Sequence, residues 1–158
     1  MSHPAAVPVE AHALLDAFIL HLTNASRHFQ GAATTPQSFG SITTGLLSKH
    51  AAYRHALAEA EAALLALEAA MRAWPPSKKP LDLLFRGIRI WTDLIENSIE
   101  VNSIILANSA ERKKRHLEAL WAENRTLAQR VDELLEKGTQ LLEMQFHISI
   151  DMKKIFPS

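Results

Sequence analysis

Residues 117–155 read LEALWAENRTLAQRVDELLEKGTQLLEMQFHISIDMKKI and contain a seven-residue apolar repeat. One position of the repeat is always aliphatic: Leu120, Leu127, Leu134, Leu141, Ile148 and Ile155. Its companion position mixes apolar residues with polar or small ones: Leu117, Asn124, Val131, Gly138, Gln145 and Met152. Such alternating spacings are typical of a helix that holds one narrow face against another helix. We call these two sets the heptad ladder, and they predict helix-to-helix association.

The flank of the ladder widens this predicted contact. Trp121, Leu135 and Leu142 lie one position beyond the ladder, which suits packing against two helices at once. The predicted interaction residues are Leu120, Asn124, Leu127, Val131, Leu134 and Leu141, with Trp121, Leu135 and Leu142 beside them. At a rise of about 1.5 Å per residue, a helix from Glu111 to Ile155 is about 65 Å long, whereas the first and third helices are about 30–40 Å. We therefore expect part of the ladder to extend beyond its neighbours and to need a second chain.

Three further helices precede the ladder in the predicted organisation. Helix one spans 9–30, with an apolar stripe from Ala11 through Phe18 to Phe29. Helix two spans 36–74, is rich in alanine and ends at Pro75. Helix three spans 81–107 and is apolar over more than half of its circumference, as is typical of the central helix of a bundle. The sequence predicts an all-α fold: a single helical domain over 1–158, an up-down bundle of three or four helices with an extended C-terminal coiled-coil helix over 109–155.

Two boundaries of this last helix rest on weaker signals. Residues 107–116 contain no large apolar side chain, so we place a turn at Asn108-Ser109; the alternative is one continuous helix from Leu81. Near the C-terminus, Phe146, Ile148, Ile150 and Met152 alternate with polar residues, a period typical of an extended strand. Because a lone strand is improbable in a helical chain, we expect a continuing or fraying helix there.

Composition narrows the functional classes. The 158 residues include 17 basic and 17 acidic ones, so no overall charge draws the protein to nucleic acid or to an anionic membrane. The absence of cysteine excludes thiolate nucleophiles, disulfides and cysteine-ligated metals. No signal peptide or membrane span is recognisable, and we expect a soluble, cytoplasmic protein. Phosphate-binding glycine loops and nucleophile motifs are absent, so we expect no enzyme, no catalytic residue and no cofactor.

One local resemblance concerns residues 112–127. The stretch from Leu117 to Leu127, with Asn124 among leucines and Arg112-Lys113-Lys114-Arg115 before it, resembles the zipper of basic-zipper transcription factors. That resemblance implies a basic helix that crosses the major groove of DNA. This chain departs from the pattern, because its basic run is four residues long and follows an apolar segment. Nucleic acid is therefore an unlikely partner, and a solvated basic turn is the simpler interpretation.

The 8 histidines raise the question of a metal site. His55 and Glu59 lie one helical turn apart, as do His12 and Asp16, but the second-helix His pairs of hemerythrin-type bundles are missing. We therefore predict no metal site. The function expected from the sequence is a non-enzymatic protein–protein interaction module, binding another protein chain or a second copy of itself. The alternatives are a ligand-holding bundle with a pocket near Tyr53, Phe85 and Trp91, and a nucleic-acid-binding regulator that uses 112–115.

Overall fold

Five α-helices make up most of the protein in a computed structural model that describes residues 6–34 and 42–157. They are α1 (Val9–Thr34), α2 (Ile42–Ala73), α3 (Lys78–Leu106), α4 (Lys114–Phe146) and α5 (Met152–Ile155). A 3₁₀ turn, Pro75–Ser77, joins α2 to α3, and Pro80 is accommodated in the first turn of α3, where its missing N–H is no loss. The predicted all-α bundle is confirmed. The predicted start of helix two at residue 36 lies outside the described residues.

Successive helices pack against each other in antiparallel order. Along α1 and α2, His21 contacts Glu59 while Phe29 contacts Tyr53. Along α3 and α4, Glu100 pairs with His116 while Leu84 lies against Gly138. Helix α3 contacts both α2 and α4, which is the central position that its wide apolar surface predicts.

Small side chains on α2 bring α1 close. The predicted stripe of α1 is buried from Ala11 to Ala25, with Phe18 and Leu22 fully so. Facing it, α2 buries a row of alanines: Ala56, Ala60, Ala63, Ala66 and Ala70. Leu67 is the large fully buried residue of this helix. Each fully buried leucine or phenylalanine stabilises the fold by about 1.5–3 kcal/mol. The large side chains of α1 make this contribution, and the small alanines of α2 leave the space in which they pack.

The turn between α3 and α4 lies where the sequence places it. Asn108 adopts a left-handed conformation with φ 53°, which asparagine tolerates better than most residues. The N–H of Ser109 donates to the carbonyl of Ile104 (3.1 Å), and the N–H of Asn108 donates to that of Ile105 (3.0 Å). These two bonds form a Schellman motif, which satisfies carbonyls at the end of α3 and stops the helix without a glycine.

The predicted span of 109–155 for the last helix is wrong at both ends. Helix α4 begins at Lys114 and ends at Phe146, so its 33 residues nearly equal the 32 of α2. At about 1.5 Å per residue it is about 50 Å long and does not project as the expected arm. It ends because His147 takes a left-handed conformation (φ 57°) while its N–H still donates to the carbonyl of Glu143.

Beyond α4 the chain is extended and then forms one helical turn. In the extended part, Ile148 and Ile150 are half-buried while His147, Ser149 and Asp151 are exposed, so the period of two is realised in the structure. The expectation of a continuing helix is therefore wrong. Asp151 begins α5 by accepting hydrogen bonds from the N–H groups of Lys153 and Lys154. We call residues 147–157 the strap.

The strap returns along the bundle and covers part of α3. The ring of Phe156 packs edge-on against that of Trp91 with centroids 5.0 Å apart, and Ile155 is buried. The amide nitrogen of Gln30 on α1 donates to the carbonyl of Pro157 (3.4 Å). The strap and α4 line a common surface cavity. The strap thus connects the last described residues to α1, α3 and α4.

Two glycines allow α3 and α4 to approach closely. A Cβ at Gly138 would lie 2.7 Å from Cδ2 of Leu84 and 3.2 Å from its backbone nitrogen. At Gly87 a Cβ would lie 3.0 Å from Cδ2 of Leu135. Gly138 occupies a ladder position, where a glycine destabilises the helix. The close approach of α3 and α4 at this position explains why a glycine is found there.

We expect Gly138→Ala to lower the free energy of unfolding by about 1–3 kcal/mol, because the added methyl overpacks Leu84 by more than alanine's helix propensity of about 1 kcal/mol restores. Urea denaturation measures the change. The matched control is Gly31→Ala in α1, where a Cβ meets nothing within 4 Å, and we expect it to raise stability by about 0.5–1 kcal/mol. Equal stabilisation by both alanines would contradict the close α3–α4 contact.

The strap offers a second test of the fold. We expect Phe156→Ala to lower the free energy of unfolding by about 1–3 kcal/mol, less than for a fully buried phenylalanine, because the ring is half-buried against Trp91. Lys154→Ala, which changes an exposed side chain two residues away, serves as the control and is expected to change it by less than about 0.5 kcal/mol. Identical denaturation curves for the two variants would show that the strap does not pack on α3.

Candidate functional site

A groove opens between α2 and α4 near the C-terminal end of α3. Its volume is about 300 Å³. Its lining consists of Leu46, Lys49 and Tyr53 from α2, Ser98, Val101, Asn102 and Ile105 from α3, and Trp121 and Asn124 from α4. We call it the Trp121 groove.

Large apolar side chains at this groove remain in contact with solvent. Trp121 is 48% exposed and Ile105 is 37% exposed, while Tyr53 and Val101 are half-buried. Tryptophan combines a large apolar area with one hydrogen-bond donor, and it is frequent among the residues that dominate protein interfaces. The groove therefore presents apolar side chains that residues 6–34 and 42–157 leave partly uncovered.

Two asparagines fix the walls of the groove. The amide nitrogen of Asn102, a buried residue, donates to the carbonyl of Leu46 (2.8 Å) and so joins α3 to the start of α2. The amide nitrogen of Asn97 donates to the amide oxygen of Asn124 (3.0 Å) and joins α3 to α4. Because a buried hydrogen bond is costly to break, these contacts hold the three helices in one arrangement.

Tyr53 stands at the inner end of the groove. Its ring lies 5.4 Å from that of Phe29, which in turn packs against Trp91. Burial raises the pKa of the Tyr53 phenol above its ordinary value of 10.0, because the low-polarity surroundings disfavour the phenolate. Its hydroxyl, the Lys49 ammonium and the Asn124 amide supply hydrogen-bonding groups, so the lining combines polar and apolar surface.

The rim of the groove is basic. Lys49 belongs to the lining itself. Lys114 and Arg125 are exposed and share the face of α4 that carries Trp121, because they lie seven residues before it and four after it. The four residues of the cluster Arg112–Arg115 are all exposed at the adjacent α3–α4 turn. Glu118 is the acidic residue that shares this face of α4 with Trp121.

The predicted interaction residues divide into three groups. Leu120, Val131, Leu135 and Leu142 are buried within the chain. Asn124, Leu127, Leu134 and Leu141 are half-buried, and Trp121 alone is exposed. The groove brings together Trp121 and Asn124 and combines them with Tyr53, which the sequence assigned to an alternative ligand pocket, and with other residues of α2 and α3 that sequence reasoning missed. The wide apolar surface of α3 was the signal for these, since it exceeds what two neighbouring helices cover.

Four histidines make contacts that bridge two helices. Nδ1 of His21 lies 2.7 Å from a carboxylate oxygen of Glu59, and His28 stacks on His55. Nε2 of His116 lies 2.7 Å from a carboxylate oxygen of Glu100. Within residues 6–34 and 42–157, no group of three or more histidine or acidic side chains is placed to hold a metal ion.

The region around Trp91 is filled by aromatic side chains. The rings of Phe29 and Phe156 lie 5.8 and 5.0 Å from the Trp91 ring. The sequence placed a ligand pocket near Tyr53, Phe85 and Trp91, but Phe156 of the strap occupies the space beside Trp91. Of these three residues, Tyr53 is the one that lines the Trp121 groove.

Comparison with known proteins returns no match: no family model, no curated protein and no solved structure is similar to this chain. In the described part of the chain, none of the helices is both long enough and apolar enough for a bilayer crossing. The geometry of the groove is therefore the basis for proposing a function of this protein.

Tyr53 is the single tyrosine of the chain, so its titration can be followed by phenolate absorbance without interference. We expect a midpoint above 10 in the folded protein and about 10 in denaturant. The pKa of Tyr53 is higher in the folded state than in the unfolded state. The contribution of this difference to the free energy of unfolding is therefore fully present below pH 10 and is lost as pH rises through the folded-state pKa. Tyr53→Phe should remove this part of the pH dependence of unfolding. A folded-state midpoint at or below 10 would contradict the burial of the phenol.

Proposed function

We propose that this protein is a non-enzymatic protein–protein interaction module, a small adaptor or assembly subunit, that holds an apolar segment of a partner protein in the Trp121 groove. The observation that carries the proposal is the exposed tryptophan in a groove that combines apolar side chains such as Leu46 and Ile105 with polar ones. An interface anchor of this kind gains its binding free energy when it is removed from water.

The location of the groove favours it over the heptad ladder as the binding surface. The inward residues of the ladder, such as Leu120 and Leu142, are already covered by the chain's own helices. Association through a coiled coil would require α4 to leave α3 and to give up the close contact at Gly138. Binding at the groove requires no such rearrangement.

The strap supports a polypeptide as the occupant. It is a segment of chain that already covers α3 at Trp91 with apolar side chains, among them Ile155 and Phe156. The Trp121 groove lies further along the same helix, where its lining begins at Ser98. A partner segment there would extend a mode of packing that the fold already uses.

The test follows the three tryptophan indole N–H signals by NMR, with each signal assigned from a Trp→Phe variant. The probe is a synthetic neutral peptide in which Phe, Ile, Ile and Met, the apolar residues at positions 146, 148, 150 and 152, alternate with Ser and Gln. We expect the Trp121 signal to shift to saturation while the buried Trp74 signal stays in place. Trp121→Ala should weaken binding by about tenfold or more, as is usual for an interface anchor.

Met144→Ala is the matched control, because Met144 is 70% exposed on α4 but does not line the groove. It should leave the affinity unchanged. An equal loss in both variants, or the lack of any saturable shift at Trp121, would refute the proposal. A shift confined to Trp91 would show that the peptide displaces the strap instead.

A further inference from the structure

We infer that the segment accepted by the Trp121 groove is acidic and extended, with bulky apolar side chains at alternate positions. This inference rests on the proposed function and specifies the chemistry of its partner. It has two independent supports, the sign of the charge around the groove and the way the non-helical part of the strap packs alternate side chains on the core.

The charge around the groove favours acidic side chains. Lys49 lines the groove, and Lys114 and Arg125 flank Trp121 along α4. The basic cluster Arg112–Arg115 continues this positive surface around the α3–α4 turn, where the four side chains are exposed. Glu111 at the turn, Glu118 on α4 and Glu100, which pairs with His116, offset part of it. Because the chain as a whole is neutral, this local excess of positive charge is a feature of the surface rather than of the composition.

The conformation of the strap favours an extended segment. Between α4 and α5 the strap has no helical residue, and its apolar side chains point to the core at every second position. Phe156, just beyond the helical turn α5, covers α3 beside Trp91, and the Trp121 groove, about 300 Å³ in volume, opens further along α3. A helix with side chains is about 10–12 Å across, which is far bulkier than a single extended chain and suits a groove of about 300 Å³ less well.

A second copy of this chain fits the groove poorly. The strap of another molecule is the segment with the matching apolar pattern, but Lys153 and Lys154 would bring positive charge to a positive rim. That strap is also occupied in its own molecule, where Ile155 is buried and Phe156 contacts Trp91. The partner is therefore another protein.

The experiment compares four synthetic peptides of equal length, using the Trp121 indole signal of the full chain as the readout. Three have the same alternating apolar residues, with the intervening positions acidic, neutral or basic. The fourth has the composition of the acidic peptide rearranged to the 3 and 4 spacing of an amphipathic helix. We expect the acidic alternating peptide to bind about 3- to 30-fold more tightly than the neutral one at low salt, since several rim charges contribute modestly, and to lose most of this advantage at high salt.

Charge reversal on the protein provides the matching half of the test. The double variant Lys114→Glu and Arg125→Glu should abolish or invert the preference for the acidic peptide, whereas Lys137→Glu, an exposed change elsewhere on α4, should not. If the double variant fails to fold, the salt dependence of the unaltered protein still decides the question.

The outcomes separate this inference from the proposed function. Equal binding of the acidic, neutral and basic peptides, or tighter binding of the helical one, would overturn the inference and leave the interaction module in place. Failure of all four peptides to move the Trp121 signal would overturn both. Concentration-dependent dimerisation that is lost in Trp121→Ala would identify a second copy as the occupant, and binding of a single-stranded oligonucleotide in place of the peptides would identify a nucleic-acid surface; either would overturn the inference.

Discussion

Burial of α3 is the constraint on which the rest of the structure depends. Its apolar surface extends around more than half of the helix, and Leu81, Leu84, Ile88 and Ile95 are fully buried. No single neighbour can cover so wide a surface. Helix α2 covers one side, α4 covers the other with the help of Gly87 and Gly138, and Phe29 of α1 with Phe156 of the strap covers Trp91 between them. The Trp121 groove is the place along α3 where this covering stops.

The strap shows how the chain handles an apolar surface that helices leave open. Two left-handed residues, Asn108 and His147, end α3 and α4, and the second of them lets the chain reverse and lie along the bundle. Its alternating side chains Ile148 and Ile150 pack on the core, and Phe156, just beyond the helical turn α5, fills the space beside Trp91. Helix α3 continues past Trp91 to Val101 and Ile105, whose apolar side chains are also partly exposed. No segment of the described chain covers them. A partner that supplies such a segment would complete a pattern of packing already present.

Much of the fold follows from residue spacing, because helix formation and burial are local consequences of the apolar pattern. The stripe of α1, the central place of α3 and the reversal at Asn108 were all readable in this way. The length of α4 was not, since nothing in the sequence around His147 forbids helix and a non-glycine residue in the left-handed region has no strong local signal. The alternation of Ile148 and Ile150 did signal an extended chain. A strand usually needs a partner strand, which is why the sequence predicts a helix there; in the structure, side-chain burial holds the segment.

The groove lay beyond sequence reasoning because it is made by three helices whose relative placement depends on long-range contacts. Asn124 illustrates the difference. At a ladder position amid leucines it resembles the polar residue that fixes register between two identical helices. In the folded chain the same amide accepts a hydrogen bond from Asn97 of α3, so it fixes register within one molecule. The polar residue that suggested association with a second chain thus aligns α4 on its own neighbour, and it is this alignment that sets Trp121 opposite Leu46 and Tyr53.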